Sequence, residues 1–366
     1  MRRKSLLVFL LIVFAGLQQA WPDGGRMHRQ SWSRPIPLGI SGGNSRDFFV
    51  SGMSEYCCSG TLGAAVKNAS GDMFILSNNH VLARDNKGRL GELITQPGLV
   101  DMNCESNPSQ AVGKLSRVVR YRFSNQANYV DAALARALPG AVATSGRILD
   151  IGPPGPPVEA AIGMRVKKSG RTSGRTTGIV DALNVTALVE MPTHCGSSSS
   201  NRIRFVNQIY VRNATSVKFL RAGDSGSLLV QNKQACPGTV GLLYAGDDRG
   251  NGVANRIQDV LRILNVSIVG CGNPGLVPFQ ARMNKTMTDP NFIAASGVQS
   301  RHQETLLRLP GLIGVGIGGD ATHPDKLAIV VFIKRGPQAA AAARAVPPQL
   351  ESMTVRKVYT SGFVAF

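Results

Sequence analysis

Three short stretches of this sequence carry residues that could together perform nucleophilic catalysis. His80 lies in SNNHVLA, Asp131 in NYVDAALARAL and Ser225 in RAGDSGSLLV. A serine hydroxyl is a weak nucleophile at neutral pH and needs a base, and imidazole suits that task because its pKa lies near neutrality. A buried carboxylate can then fix the imidazole tautomer. The set predicts amide hydrolysis by Ser225, with His80 as general base and Asp131 as the carboxylate that orients it.

The neighbours of Asp131 and Ser225 fit these roles. Asp131 is flanked by valine, alanine and leucine, and an ionised carboxylate in an apolar segment needs a partner, for which His80 is the candidate. Gly223 permits unusual dihedral angles, so the amides of Gly223 and Ser225 can point at one oxyanion. Taken singly, the motifs have structural explanations: a hydrogen-bonded histidine, an aspartate cap and a glycine turn. Their joint occurrence in the order His, Asp, Ser favours catalysis.

Short strands and turns must position these residues, since the chain contains 41 glycines and 20 prolines. The stretch GTLGAAVKNASGDMFILSNNHVL predicts a hairpin that turns at KNASGD and leads to His80. The stretch NRIQDVLRILNV predicts an amphipathic helix with Ile257, Val260, Leu261 and Leu264 on one face. Many short strands and one closing helix predict a mostly β fold with a barrel architecture.

The chain divides by pattern into five segments. We predict a signal peptide over 1–20, a leader or propeptide over 21–39, a main β domain over 40–269, a linker over 270–300 and a small α+β domain over 301–366. The last segment has the predicted order strand, strand, short helix, strand. Its GVGIGG stretch is similar to a dinucleotide-binding loop, but a strand follows where such a site needs a helix, so no dinucleotide site is predicted.

The N-terminus and the cysteines indicate export. Arg2, Arg3 and Lys4 precede an apolar stretch that is short for a transmembrane helix, which is typical of a secretory signal peptide; an uncleaved anchor is the alternative. A secreted or periplasmic location would place the six cysteines in an oxidising compartment, where disulfides are favoured. The adjacent Cys57 and Cys58 would take different partners. No cysteine or histidine spacing indicates a metal, and no cofactor is predicted.

The net charge of +19 would suit contact with an anionic cell wall, a membrane surface or nucleic acid. The basic residues are spread along the chain and aromatic residues make up only 6%, so a nucleic-acid groove with stacking platforms has little support. A well-solvated exported surface is the simpler explanation. Contact with an anionic cell surface stays open beside it.

These motifs resemble, in order, those of trypsin-like serine peptidases of the chymotrypsin fold, in the secreted bacterial branch of the streptogrisins and the HtrA-type protease domains. ISGGN resembles the start of the mature streptogrisin domain, CCSGTLGAAV its first core strand and LSNNHV the histidine motif. KSGRTSGRTTG, TVGLLYAGD and VANRIQDVLRILNVSIV resemble the strand before the second barrel, the specificity strand and the closing helix. Over 40–269 the resemblance implies two six-stranded antiparallel β-barrels with the active site between them.

The same resemblance assigns roles to further residues. It implies a catalytic triad of His80, Asp131 and Ser225. It implies an oxyanion hole made by the amides of Gly223 and Ser225. It also implies a substrate pocket formed by Phe219, Tyr244, Ala245 and Gly246. Phe219 stands where a preference for basic side chains needs an acidic residue, so apolar or small residues are expected before the cleaved bond. Asp247 and Asp248, at the pocket rim, would attract a basic one.

The leading prediction is a secreted serine endopeptidase that hydrolyses polypeptides through an acyl-enzyme. One alternative is a catalytically silent binding module on a protease scaffold. Another is a self-limited protease that cuts its own linker near 270–300. The small C-terminal domain would be a folding assistant, an inhibitor, a substrate-docking unit or a structural appendage, and the sequence does not choose among these.

Overall fold

The computed structural model of the protein describes residues 25–123, 126–272, 288–323 and 325–365. The predicted signal peptide over 1–20 lies outside these residues. Strands dominate and helices are few, which confirms the mostly β fold. In the described part of the chain, no helix combines the length and the apolar character that crossing a membrane requires.

The first half of the chain forms a six-stranded antiparallel barrel. Its strands, with the neighbouring β2–β3 hairpin, are β1 (Ile40–Asn44), β2 (Phe48–Ser51), β3 (Ser54–Cys57), β4 (Gly60–Leu62), β5 (Ala64–Lys67), β6 (Met73–Ser77), β7 (Leu93–Thr95), β8 (Ala111–Val118) and β9 (Ala133–Ala137). Because only Gly63 separates β4 from β5, they act as one strand that pairs with both β1 and β6. The ring closes through β9, β8 and β7 back to β1. The predicted hairpin is β5 and β6.

The second half forms another closed antiparallel barrel. Its strands are β11 (Arg165–Gly170), β12 (Gly174–Pro192), β13 (Ser200–Asn213), β14 (Leu228–Gln231), β15 (Gly238–Gly246) and β16 (Gly252–Arg256). The short strand β10 (Gly155–Pro157) pairs with β15, whereas β17 (Ser267–Ile268) pairs with β5 of the first barrel. The ring runs β11, β14, β15, β16, β13, β12 and back to β11. The predicted pair of six-stranded barrels is therefore present.

Five described α-helices accompany the barrels. They are α1 (Arg26–Arg29), α2 (Asn79–Leu82), α3 (Ile257–Leu264), α4 (Pro290–Leu307) and α5 (Ala339–Ala345). The predicted amphipathic helix is α3, and its apolar face, with Val260 and Leu264 fully buried, belongs to the core of the first barrel. Each such side chain contributes roughly 1.5–3 kcal/mol by burial. The helix ends at Asn265, which adopts a left-handed conformation with φ of 49°.

The C-terminal segment shares a sheet with the second barrel. Its strands are β18 (Leu312–Gly319), β19 (Leu327–Lys334), β20 (Gln349–Leu350), β21 (Met353–Thr360) and β22 (Phe363–Ala365). β18 pairs with the outer edge of β12, β19 pairs with β18, and β21 runs parallel to β19. β22 lies between β12 and β15. Helix α4 crosses residue 300, where the linker is predicted to end; the domain boundaries stay predictions.

The stretch before β1 is packed into the fold from residue 25 onward. His28 of α1 is buried, and its Nε2 lies 2.9 Å from Ser169 Oγ of β11. Ile36 and Leu38 are fully buried in the core of the first barrel. The leader or propeptide predicted over 21–39 thus includes residues that fill the core, and its release during maturation stays a prediction.

All six cysteines are paired. The disulfides are Cys57–Cys104, Cys58–Cys195 and Cys236–Cys271. The prediction that the two adjacent cysteines take different partners is confirmed. The bond between Cys58 and Cys195 ties the first barrel to the loop between β12 and β13, so it links the two halves of the molecule covalently.

Candidate active site

His80 and Asp131 are brought together at the start of α2, the single helical turn that follows β6. Asp131 Oδ2 lies 2.5 Å from His80 Nδ1, and the carboxylate is fully buried while the imidazole is 8% exposed. The other carboxylate oxygen accepts the backbone amide of Asn79 at 2.7 Å, so Asp131 also caps α2. A carboxylate at Nδ1 favours the tautomer that carries its proton there, which leaves Nε2 as the basic nitrogen.

Asparagines hold Asp131 in place. Asn255 of β16 accepts the backbone amide of Asp131 at 3.0 Å and donates to the carbonyls of Asp131 and Leu242 at 3.2 and 3.1 Å. Asn78 donates to the same Asp131 carbonyl at 2.8 Å. Asn255 was not among the predicted site residues. Its only signal in the sequence is a polar residue inside the apolar stretch GVANRI, and a fully buried amide there needs partners.

Ser225 lies in the turn between the second-barrel segment 219–221 and β14, against the end of the first barrel. Its carbonyl accepts the amide of Thr61 at 2.8 Å, and Thr61 Oγ1 donates to the Gly223 carbonyl at 2.9 Å. A Cβ atom on Gly226 would lie 2.2 Å from Ser77 Oγ, so only glycine allows this approach. These contacts bring the serine turn against the C-terminal end of β6, which leads directly to His80.

The serine hydroxyl and the neighbouring amides have defined partners. Ser225 is fully buried, and its Oγ donates to the Tyr244 carbonyl at 3.1 Å. The amides of Asp224 and Gly226 donate to backbone carbonyls. Among the described residues, no backbone hydrogen bond uses the amides of Gly223 or Ser225, and Gly223 has φ of +90°. This pattern fits a pair of donors kept for a substrate oxyanion.

A buried ion pair fixes the conformation of this turn. Lys168 Nζ lies 2.9 Å from the Asp224 carboxylate, and both side chains are fully buried. Asp224 also accepts the backbone amides of Thr172, Ser173 and Arg221 at 2.9–3.0 Å. Burial alone would raise the pKa of Asp224, but the charge of Lys168 and these hydrogen bonds outweigh burial and hold the pKa below its ordinary value.

The residues predicted to form the substrate pocket lie on two neighbouring parts of the second barrel. Phe219 is fully buried, and its ring lies close to Gly178 and Gly252. Tyr244 is also buried, with its ring centroid 4.8 Å from that of Phe205. Ala245 and Gly246 do not present an open edge, because they pair with β22. The assignment of these residues to a pocket stays a prediction.

The acidic residues predicted at the pocket rim are engaged by the chain itself. Asp247 accepts the amides of Arg249 and Asn251 at 3.1 and 2.9 Å, as is typical of an aspartate that stabilises a turn. Arg335 donates to both carboxylate oxygens of Asp248, at 2.5 and 2.7 Å. Attraction of a basic substrate side chain by these two carboxylates is therefore weakened by their internal partners.

A cavity opens beside His80, on the side of the Cys58–Cys195 disulfide. Its lining includes His80, Phe48, Phe49, His194 and Ala365. The rings of Phe49 and His194 stack with centroids 3.7 Å apart. Asp47 also lines this cavity, and burial, followed by the neighbouring Asp85 carboxylate, raises its pKa to about 7.

One group in the described part of the chain resembles a metal site in composition. It consists of Asp47, Cys58 and Cys195. The two sulfur atoms form a disulfide with each other, so neither is a thiolate that could bind a metal ion.

Comparison with known proteins gives similarity to structures and none to sequences. No protein-family model matches the chain, and no curated protein matches it by sequence. A glutamic acid specific serine protease that uses a histidine triad in substrate binding is 17% identical, with 64% of this chain and 100% of the protease covered at a TM-score of 0.41. Thermobifida fusca protease A is 15% identical, with 62% and 98% covered at a TM-score of 0.38. Nocardiopsis protease is 19% identical, with 63% and 98% covered at a TM-score of 0.39. These structures belong to bacterial serine proteases, the group whose motifs the sequence resembles.

Proposed function

We propose that this protein is an exported serine endopeptidase that hydrolyses peptide bonds through His80, Asp131 and Ser225. The observation that carries the proposal is the contact of 2.5 Å between His80 Nδ1 and the buried Asp131 carboxylate, placed against a serine turn with two unused amides. The protease-like fold supports peptide chemistry in general. The roles of the individual residues rest on their geometry.

The proposed reaction has two halves. Ser225 Oγ attacks the peptide carbonyl carbon while its proton passes to His80 Nε2, and Asp131 stabilises the imidazolium that forms. The amides of Gly223 and Ser225 bind the oxyanion, which then collapses as the proton moves from His80 to the leaving amine. A water molecule attacks the acyl-enzyme in the same way and releases the acid. The residues alone supply this chemistry, so the proposal includes no cofactor.

The partner is a polypeptide substrate outside the cytoplasm. Three disulfides fit an oxidising compartment, which agrees with export by the predicted signal peptide. The charge of +19 would hold the enzyme near anionic cell surfaces at low salt. Phe219 at the pocket base would favour apolar or small side chains before the cleaved bond.

One observation favours the alternative of a catalytically silent or self-limited protein. Ser225 is fully buried although a nucleophile must meet its substrate. The edge of β15 that follows the Ser225 partner Tyr244 is occupied by β22, and a strand paired to such an edge can leave it. The active protease is therefore the better-supported function.

A fluorophosphonate probe tests the proposal. The probe should label the exported chain, and Ser225→Ala should abolish labelling while near-ultraviolet circular dichroism stays unchanged. Ser227→Ala is the matched control, because Ser227 is an equally buried hydroxyl in the same turn. Equal labelling of the parent and Ser225→Ala, or loss of labelling only in Ser227→Ala, would contradict the assigned nucleophile.

A further inference from the structure

The C-terminal strand β22 lies along the edge of β15 next to the candidate nucleophile. It pairs antiparallel with β15, with Ala365 opposite Ala245 and Val364 opposite Gly246. On its other side it pairs in parallel with β12. Ser225 Oγ donates to the carbonyl of the β15 residue that immediately precedes this paired segment.

A peptide substrate has to use the same edge. Its scissile carbonyl must reach Ser225, and the residues before that carbonyl must run along the nearest exposed backbone. An extended peptide binds such an edge by adding a strand, with main-chain hydrogen bonds for affinity and pockets for side chains. The direction of β22 agrees, because its last described residue, Ala365, lines the cavity that also contains His80. β22 therefore approaches the site as the acyl half of a substrate would.

The side chains of β22 fit the surface beneath them. Phe363 is 1% exposed, and its ring centroid lies 5.3 Å from that of Phe332 and 6.0 Å from that of Tyr210. Ala365 is 2% exposed, whereas Val364 between them is partly exposed. The alternation leaves room for a large aromatic side chain, a β-branched one that is partly exposed, and a small one beside the cavity that His80 lines.

The loop before β22 is fastened to the loop after β15. Thr360 Oγ1 donates to Asp247 at 3.1 Å, and the amide of Asp248 donates to Ser361 Oγ at the same distance. Arg335 binds the Asp248 carboxylate through two contacts. These bonds join the predicted small domain to the rim of the predicted pocket, so β22 is held in place from outside the cleft.

We propose that β22 is an intramolecular pseudo-substrate, and that the cleft between β15 and β12 takes extended apolar peptides of the pattern aromatic, aliphatic, small before the residue that enters the primary pocket. The substrate preference rests on the proposed function; the occupancy of the cleft does not. The protein is then a self-inhibited enzyme whose β15 edge becomes free for substrate when β22 leaves.

Binding of a free peptide tests the occupancy without requiring catalysis. The probe is fluorescein-labelled Ser-Gly-Phe-Val-Ala-Phe, the sequence of residues 361–366, measured by anisotropy in the Ser225→Ala background. Val364→Pro removes the backbone amide of a residue that is paired with strands on both sides, while Val364→Thr keeps both the amide and a β-branched side chain. We expect Val364→Pro to bind the peptide at least ten-fold more tightly than either Ser225→Ala alone or its Val364→Thr variant.

Labelling by the fluorophosphonate separates the two proposals. With Ser225 present, Val364→Pro should label at least ten-fold faster than the parent, and the free peptide should slow it again. Peptide binding without labelling would leave the cleft assignment standing and refute the proposed catalysis. Labelling at equal rates in folded parent and Val364→Pro, with no gain in peptide binding, would refute the pseudo-substrate and leave catalysis standing.

A second variant guards against misfolding of Val364→Pro. Arg335→Gln removes an exposed ion pair that fastens the loop and leaves β22 itself unchanged. It should raise peptide binding and labelling in the same direction by about two- to three-fold. If Val364→Pro loses its near-ultraviolet circular dichroism spectrum, the decision rests on Arg335→Gln. Peptide binding and labelling equal to the parent would then count against the proposal, and an increase in both would support it.

Discussion

Lys168 reaches from β11 to within 2.9 Å of Asp224, the residue immediately before the candidate nucleophile, and neither side chain contacts solvent. The lysine also donates to the Gly174 carbonyl at 3.1 Å and to the Ser173 hydroxyl. A buried charge without its partner is costly, so the pair holds the serine turn in one conformation. The conformation of the turn that carries the proposed oxyanion donors thus depends on a residue distant in sequence.

Removal of Lys168 should damage both stability and labelling. Lys168→Met leaves the Asp224 carboxylate buried and unpaired, which should lower the free energy of unfolding by about 3–5 kcal/mol. The displaced turn should slow fluorophosphonate labelling by about 100-fold or more. Lys167→Met is the control, because the Lys167 ammonium donates to the uncharged Lys233 carbonyl, and it should cost about 1 kcal/mol. Denaturant unfolding and labelling kinetics are measured for both variants. Equal losses in Lys168→Met and Lys167→Met would contradict this role for Lys168.

Asp131→Asn should separate catalysis from folding. The amide oxygen of asparagine can still accept the Asn79 amide, so the cap of α2 survives and stability should change by about 1 kcal/mol. The amide group would favour the wrong imidazole tautomer, and labelling should fall by about 10⁴-fold. Labelling rates are measured beside thermal unfolding. Near-normal labelling would show that another group orients His80.

Two glycines with similar backbone angles should respond differently to alanine. Gly226 has φ of +94°, and an added Cβ would lie 2.2 Å from both Ser77 Oγ and the Thr61 carbonyl. Gly71 has φ of +83° and open space around it. Gly71→Ala should therefore cost about 1 kcal/mol by backbone strain alone, and Gly226→Ala about 3 kcal/mol or more with loss of labelling. Comparable losses of unfolding free energy would show that the two halves do not constrain the serine turn.

Asp47 should make stability depend on pH. Its pKa is about 7 in the folded protein, well above the value of 3.8 that an ordinary aspartate shows, because of burial and then the nearby Asp85. As pH rises, the unfolded chain therefore releases this proton before the folded protein does. The contribution of protonated Asp47 to the free energy of unfolding is full below about pH 4 and is lost as pH rises through 7. Asp47→Asn should flatten that decline and be about 1–2 kcal/mol more stable than the parent at pH 8, after allowance for solvent screening. The exposed Glu105→Gln serves as control. If the free energy of unfolding changes between pH 4 and 7 by the same amount in the parent and in Asp47→Asn, the raised pKa assigned to Asp47 is contradicted.

The local elements could be predicted from sequence because their signals are local. The β5–β6 hairpin follows from two apolar runs around a turn, where Asn68 Oδ1 accepts the amide of Asp72 at 2.9 Å. Helix α3 follows from its apolar spacing, and its face is buried as expected. The pairing of His80 with Asp131 could be predicted from the sequence because a carboxylate in an apolar segment needs a partner.

Other features depend on contacts between distant parts of the chain. Asn255 and Lys168 act on Asp131 and Asp224 respectively, and nothing near them in sequence indicates those partners. Helix α4 escaped prediction because its buried face contains Ala295 and Gln299, which give only a weak apolar period. The position of β22 could not be predicted either, because three residues at the end of a chain carry no information about which strands they pair with.

The attachment of β22 to the rest of the chain has a quantitative consequence. A segment tethered by a short connection is present at its site at an effective concentration on the order of millimolar. A free peptide with the same intrinsic affinity would have to reach that concentration to occupy half of the clefts. If β22 is the proposed pseudo-substrate, the tether sets a threshold and not an absolute block: a peptide far below that concentration would leave β22 in place, while a more abundant or tighter-binding chain would displace it.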